Sequence, residues 1–199
     1  MQSFSRFSLV KIRLLCLLGA ASFLLSGCSS RKTLEVGTPL PRIEISVAEQ
    51  NLTYYSHSGA HRTYPVSTAR FGTGQADGSL QTPLGKHVIV EKVGDGLPWN
   101  AVFKYGAFTG KYYQPGQLHS SGDPILTRII RLAGTEEGFN AGPGVDTEQR
   151  RIYIHGTPAS EKPEEGVPRS RGCIRMSARH ILDLYQHVSV GTEVIIKKH

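Results

Sequence analysis

Apolar and polar residues alternate along much of the chain from Arg42 onward. Ile43, Ile45 and Val47 alternate, and Leu52 to Tyr55 forms a second such run. The pattern returns in TYPVSTA (63–69), HVIVEKV (87–93), TRIIRLA (127–133), RIYIHG (151–156) and TEVIIKK (192–198). Several of these runs are β-branched with turn residues between them, as expected of half-buried strands. One segment changes period. After Ser177, a residue able to cap, Ile181, Leu184, Tyr185 and Val188 fall on one face at helical spacing, and Gly191 follows near the end. Residues 94–123 are rich in Gly, aromatics and turn formers with weak strand signals, and are expected to form an irregular lid or substrate-contacting loop. The fold class expected is mainly β, a sandwich or barrel with a C-terminal helix packed on it.

The first residues break this pattern. Arg6, Lys11 and Arg13 precede an apolar run from Leu14 to Leu25, interrupted by Gly19 and Ser22. About 20 apolar residues are needed to span a bilayer, so the run is short for that purpose. It has the length of a signal-peptide core. It ends in Leu25-Ser26-Gly27-Cys28, which resembles the lipobox of bacterial lipoproteins, where the cysteine is acylated and becomes the mature N-terminus. An ordinary secretory signal with a chance cysteine is the alternative, and the small residues before Cys28 favour lipidation. Residues 1–27 are then expected to be a signal peptide, 28–41 a lipidated tether and 42–199 one catalytic domain. The expected location is the cell envelope, lipid-anchored and facing the periplasm. Ser29, where an inner-membrane lipoprotein usually has Asp, favours the outer membrane.

Processing changes the charge and the thiol count. Three of the 23 Lys and Arg residues precede Cys28, and the 20 that remain stand against 16 Asp and Glu, a formal charge of +4. That is mild, with no basic run longer than two residues, and argues against nucleic acid as a partner. Cys16 leaves with the signal and Cys28 is capped, so Cys173 is the one free thiol of the mature chain. An unpaired cysteine in an oxidising compartment has three readings: a core residue, an intermolecular disulfide, or a catalytic group.

Its surroundings favour catalysis. His155 ends the run Ile152-Tyr153-Ile154, and Gly156 permits a tight turn there. A polar loop with three prolines and three glutamates then leads to Ser170-Arg171-Gly172-Cys173. Two groups at the ends of one loop can meet. Cysteine attacks as the thiolate, which an imidazole neighbour generates at neutral pH. Gly172 permits a turn whose amides face a developing oxyanion. Arg171 and Arg175 add positive charge that favours a thiolate and attracts a carboxylate-bearing substrate. The mature chain has no Cys-x-x-Cys pair, and its one His-x-x-x-His pair, His57 and His61, has no other His, Cys, Asp or Glu from residue 50 to 76, which argues against a metal site.

IHGT followed by SRGCIRM resembles the L,D-transpeptidase (YkuD-like) catalytic domain of bacterial cell-wall enzymes. YPVSTARFG, TPLGKHVI and VSVGTEVII resemble further segments of that family in the family's order, over roughly residues 42–197. The resemblance implies Cys173 as nucleophile, His155 as base and the Gly156 carbonyl as the group that orients it. It implies oxyanion donors at Gly172, Cys173 and Arg171, an oxyanion or substrate-binding role for Ser170, and Arg175 organising the loop or contacting the donor stem. It also implies no metal or organic cofactor. The activity implied is two-step acyl transfer on peptidoglycan stem peptides. Cys173 attacks a meso-diaminopimelate–D-alanine amide, releases D-alanine, and an amine on a second stem or a lipoprotein resolves the thioester.

One position departs from the family, which usually has histidine where this chain has Arg171. Arginine does not give up its proton in proteins and cannot relay one. Two alternatives therefore stay open beside the transpeptidase: a hydrolase of the same linkage, and a catalytically impaired wall-binding lipoprotein. A sortase fits poorly, because Arg175 follows Cys173 too closely and the Thr-Leu-x-Thr-Cys motif is absent. His57, His61, His87, His180, His187 and His199 are expected at the surface or in packing, and His119 in the irregular segment.

Overall fold

The alternating runs become strands and the helical stripe becomes a helix. The computed structural model describes residues 40–116 and 124–199. The expected signal segment, Cys28, the tether up to residue 39 and His119 lie outside the described residues. The strands are β1 (Arg42–Ser46), β2 (Asn51–Tyr55), β3 (His61–Pro65), β4 (Gly85–Val93), β5 (Ala101–Lys104), β6 (Ala107–Tyr112), β7 (Ile125–Gly134), β8 (Tyr153–Thr157), β9 (Ile174–Ser177) and β10 (Glu193–Lys197). Helix α1 spans Ala178–His187.

Among the described residues the fold is mainly β with one α-helix, and the strands form one open mixed sheet. Its order is β3-β2-β1-β10-β4-β7-β5-β6, and β8 branches from β7 and carries β9. β1 and β10 pair in parallel, which joins the two ends of the domain at the middle of the sheet. Ile43, Ile45, Val194 and Ile196 are all buried there, as their alternation requires. The main core lies between this sheet and α1, where Ile181, Leu184, Tyr185 and Val188 meet Ile130, Leu132, Ile154, Ile174 and Met176. Lys92 Nζ donates to the carbonyls of Tyr185 and Val188 at 2.7 Å each, satisfying acceptors that the helix end leaves open.

Two features differ from the sequence expectation. Residues 94–123 are not wholly irregular, because β5 and β6 form an antiparallel hairpin within them. β6 is almost entirely exposed, so it has no buried face to print an alternation. β9 is a separate strand whose four residues are all buried, including Arg175. A second, smaller cluster of Ala101, Phe103, Ile129 and Tyr153 lies under the hairpin, with Cys173 packed against it.

Candidate active site

His155 is positioned by an irregularity in β7. Leu126 pairs with Gly156 and Ile129 with His155, so Thr127 and Arg128 are extra residues set opposite the His-Gly step. Thr127 holds φ 70°, a genuine outlier for a β-branched residue. The bulge is held by Thr127 Oγ1 donating to Trp99 O at 2.6 Å and by Arg128 Nη1 donating to Leu97 O at 2.8 Å and Thr127 O at 2.6 Å. It closes on Gly156. A β-carbon there would stand 2.6 Å from Thr127 Oγ1 and 2.8 Å from Leu126 O, so only glycine fits.

His155 is fully buried, with Nδ1 2.8 Å from the carbonyl oxygen of Gly156. A carbonyl only accepts, so Nδ1 carries the proton and Nε2 is the basic nitrogen.

The cysteine turn is fixed from below. Ser170 is buried, its hydroxyl donates to Cys173 O at 2.6 Å, and its oxygen accepts from the Gly172 amide at 3.2 Å. Thr82 Oγ1 donates to Gly172 O and accepts from the Ala69 amide, both at 3.0 Å. Gly172 has φ 124°, where side chains are strained, and a β-carbon would meet Ile152 Cδ1 at 2.9 Å. The Gly172 amide is thus engaged inside the turn.

β8 and β9 run in parallel, with Ile154 opposite Ile174 and His155 opposite Arg175. Alternate residues of a strand share a face. Cys173, two residues before Arg175, therefore follows on the His155 side, and its packing against the cluster that contains Tyr153 agrees. Cys173 is partly exposed, and its thiol donates to Arg151 O at 3.4 Å. Arg175 itself is buried, and its backbone exchanges two bonds with Ser67 at 3.0 Å each. Of its two expected duties, burial fits organising the loop and not contact with a substrate. Arg171 is exposed on the turn.

The structure adds residues that sequence reasoning missed. Arg150 donates to Gly74 O, Gln75 O, Ser79 Oγ and Gln81 O at 2.6–3.3 Å. Burial lowers its pKa, opposed by the charges of Asp77 and Cys173. In the sequence, Gln149-Arg150-Arg151 reads as an ordinary surface run, and nothing local marks one of the two arginines as a staple. Among the described residues the other histidines lie elsewhere. His87 is buried between Gly85 O (3.0 Å) and Thr147 Oγ1 (3.2 Å), and burial pushes its pKa down to about 4. His180 makes a tilted ring contact with Tyr64, and His187 one with Tyr54.

The His-Gly step lies inside β8 and not at a strand end, and with the buried-serine Gly-Cys turn beside it the mainly β domain matches a known catalytic domain. The family model for the YkuD L,D-transpeptidase catalytic domain matches residues 41–196, and the chain belongs to that family. Among curated proteins the comparison finds no match. Solved structures similar to the chain include an L,D-transpeptidase from Mycobacterium smegmatis, at 17% identity and TM-score 0.46 over 79% of this chain and 58% of that one. An L,D-transpeptidase from Mycobacterium tuberculosis H37Rv is 17% identical with TM-score 0.49, over 80% of this chain and 58% of that one. One from Xylanimonas cellulosilytica DSM 15894 is 18% identical with TM-score 0.43, over 80% and 63%. The chain thus spans less than two thirds of each of these structures.

Proposed function

We propose that this chain is a peptidoglycan L,D-transpeptidase that uses Cys173 as its nucleophile. The observation that carries the reading is the shared face of β8 and β9, with the His155 ring held at 2.8 Å by the Gly156 carbonyl. His155 Nε2 takes the thiol proton. The Cys173 sulfur then bonds to the acyl carbon of a diaminopimelate–D-alanine amide. The resulting oxyanion is met by the amide of Cys173 with that of Arg171, since Gly172 is engaged by Ser170. As the C–N bond breaks, His155 returns the proton to the leaving D-alanine amine and a thioester remains. An amine from a second stem or a lipoprotein attacks the thioester, giving up its proton to His155 and restoring the thiol. The chain's own groups supply every proton transfer in this sequence. Water in place of the amine would make the same acyl-enzyme a hydrolase. Cys28 is the proposed lipid attachment point, which would hold the domain at the periplasmic side of the outer membrane.

The test is intact-mass spectrometry after exposure to a carbapenem, a strained amide that acylates such a thiolate. The wild type gains one adduct and Cys173→Ala gains none. An unmodified wild type at neutral pH would leave the wall-binding reading standing. Chromatography of stem-peptide products then separates crosslinking from hydrolysis.

A further inference from the structure

Beside the thiol lies a groove of about 380 Å³ lined by Tyr105, Arg131, Glu148, Gln149, Arg151 and Tyr153. Two of its residues tie it to the thiol. Arg151 lends its carbonyl to the Cys173 thiol at 3.4 Å while its side chain lines the groove. Tyr153 lines the groove and packs in the same cluster as Cys173. The two arginines are set on aromatic rings, with Arg151 Cζ 5.1 Å from the Tyr105 centroid and Arg131 Cζ 5.7 Å from that of Tyr153. Arg131 and Tyr153 are register partners on β7 and β8. The turn of the β5–β6 hairpin closes over them, since a β-carbon on Gly106 would stand 2.4 Å from Arg131 Nη2 and 3.1 Å from the Tyr153 hydroxyl. Glu91 forms an ion pair with Arg131, its Oε2 3.2 Å from Nε.

Planar guanidinium groups held on ring faces are suited to a carboxylate, which they bind through paired N–H donors. Glu148 adds an acceptor of opposite sign within the same lining. Two cations and one acid in a single groove match a group that carries both a carboxylate and an ammonium. We infer that Arg131 and Arg151, with Glu148, form a subsite for the free amino-acid end of a diaminopimelyl donor side chain. The inference rests on the proposed acyl transfer at Cys173, and names the residues that tell a diaminopimelate stem from a lysine stem. Lysine keeps the terminal amine and lacks the carboxylate. The carboxylate of the leaving D-alanine is the other source of the same chemistry.

The experiment compares kcat/KM on three donors: a diaminopimelate tetrapeptide stem, its lysine counterpart, and a diaminopimelate stem ending in D-alaninamide. Wild type prefers the first over the second by about tenfold to a hundredfold, the range a charge-assisted pair supplies. Arg151→Gln, at an exposed side chain, brings that preference close to one, and Arg131→Lys lowers it by less. Glu148→Gln reduces use of both free-amine stems together. An unchanged diaminopimelate-to-lysine ratio in Arg151→Gln overturns the subsite. So does a loss confined to discrimination against D-alaninamide, which would assign the groove to the leaving group. Iodoacetamide labelling of wild-type Cys173 keeps the two claims apart. An inert thiol would defeat the acyl-transfer reading, whereas a reactive thiol with an unaltered ratio would defeat only the subsite.

Discussion

Arg150 Nη2 donates to the carbonyl oxygen of Gln81 at 2.6 Å, and Gln81 O is the backbone atom nearest the position a side chain at Gly172 would fill, at 3.4 Å. The segment that enters β8 is thus tied to the loop that backs the cysteine turn. One guanidinium spans acceptors at residues 74, 75, 79 and 81, a geometry that suits a planar fork and not a point charge.

Arg150→Met should therefore lower stability by about 2 kcal/mol or more, because it leaves several half-buried acceptors without their donor. Urea unfolding reads this as a lower midpoint. Carbapenem acylation should slow in the same variant as the loop withdraws from Gly172. Arg150→Lys should recover part of both losses. A Met variant with wild-type midpoint and rate would show that the loop is held by other contacts.

Arg171→His should behave differently. The side chain is exposed, and surface changes of this kind stay within about 0.5 kcal/mol. Acylation should be kept or raised, since the position's expected contribution is its amide. A large loss of acylation with an unchanged unfolding midpoint would give the Arg171 guanidinium a duty of its own.

How much of this was legible in the sequence depends on where each residue's partners lie. The Ile43/Ile45 alternation and the Ile181-Leu184-Tyr185-Val188 stripe each face one core, so their periodicity printed directly. β6 faces solvent and shows no alternation, and β9 alternates over only Ile174-Arg175-Met176-Ser177, all four of them buried, which is too short a run to mark a strand. His155, Gly156 and Cys173 stood out because their residue types and spacing are restrictive. The Thr127 bulge that excludes a side chain at residue 156 did not, because nothing in Leu126-Thr127-Arg128 marks a positive φ. The bond from the Gly172 amide to Ser170 Oγ did not stand out either, because it is a local contact within one turn that leaves no mark on the sequence pattern.

His87 gives the fold a pH dependence of defined sign. Burial lowers its pKa from 6.5 to about 4, so the unfolded chain binds the proton more tightly than the folded one. Stability is complete above pH 6.5 and falls as the pH drops toward 4, by about 3 kcal/mol for this group. Denaturant midpoints recorded across that window should decline in the wild type and decline less in His87→Gln. Parallel curves for the two proteins would show that the loss comes from other groups.

Removal of the imidazole tests the account at its centre. The measurement is the rate of Cys173 alkylation by iodoacetamide from pH 5 to 9, in wild type and in His155→Ala, each confirmed as folded by circular dichroism. Wild type should react at least about tenfold faster than the variant at pH 7, a difference that narrows as the thiol ionises unaided at high pH. Superimposable profiles would contradict the claim that His155 activates the thiol of Cys173.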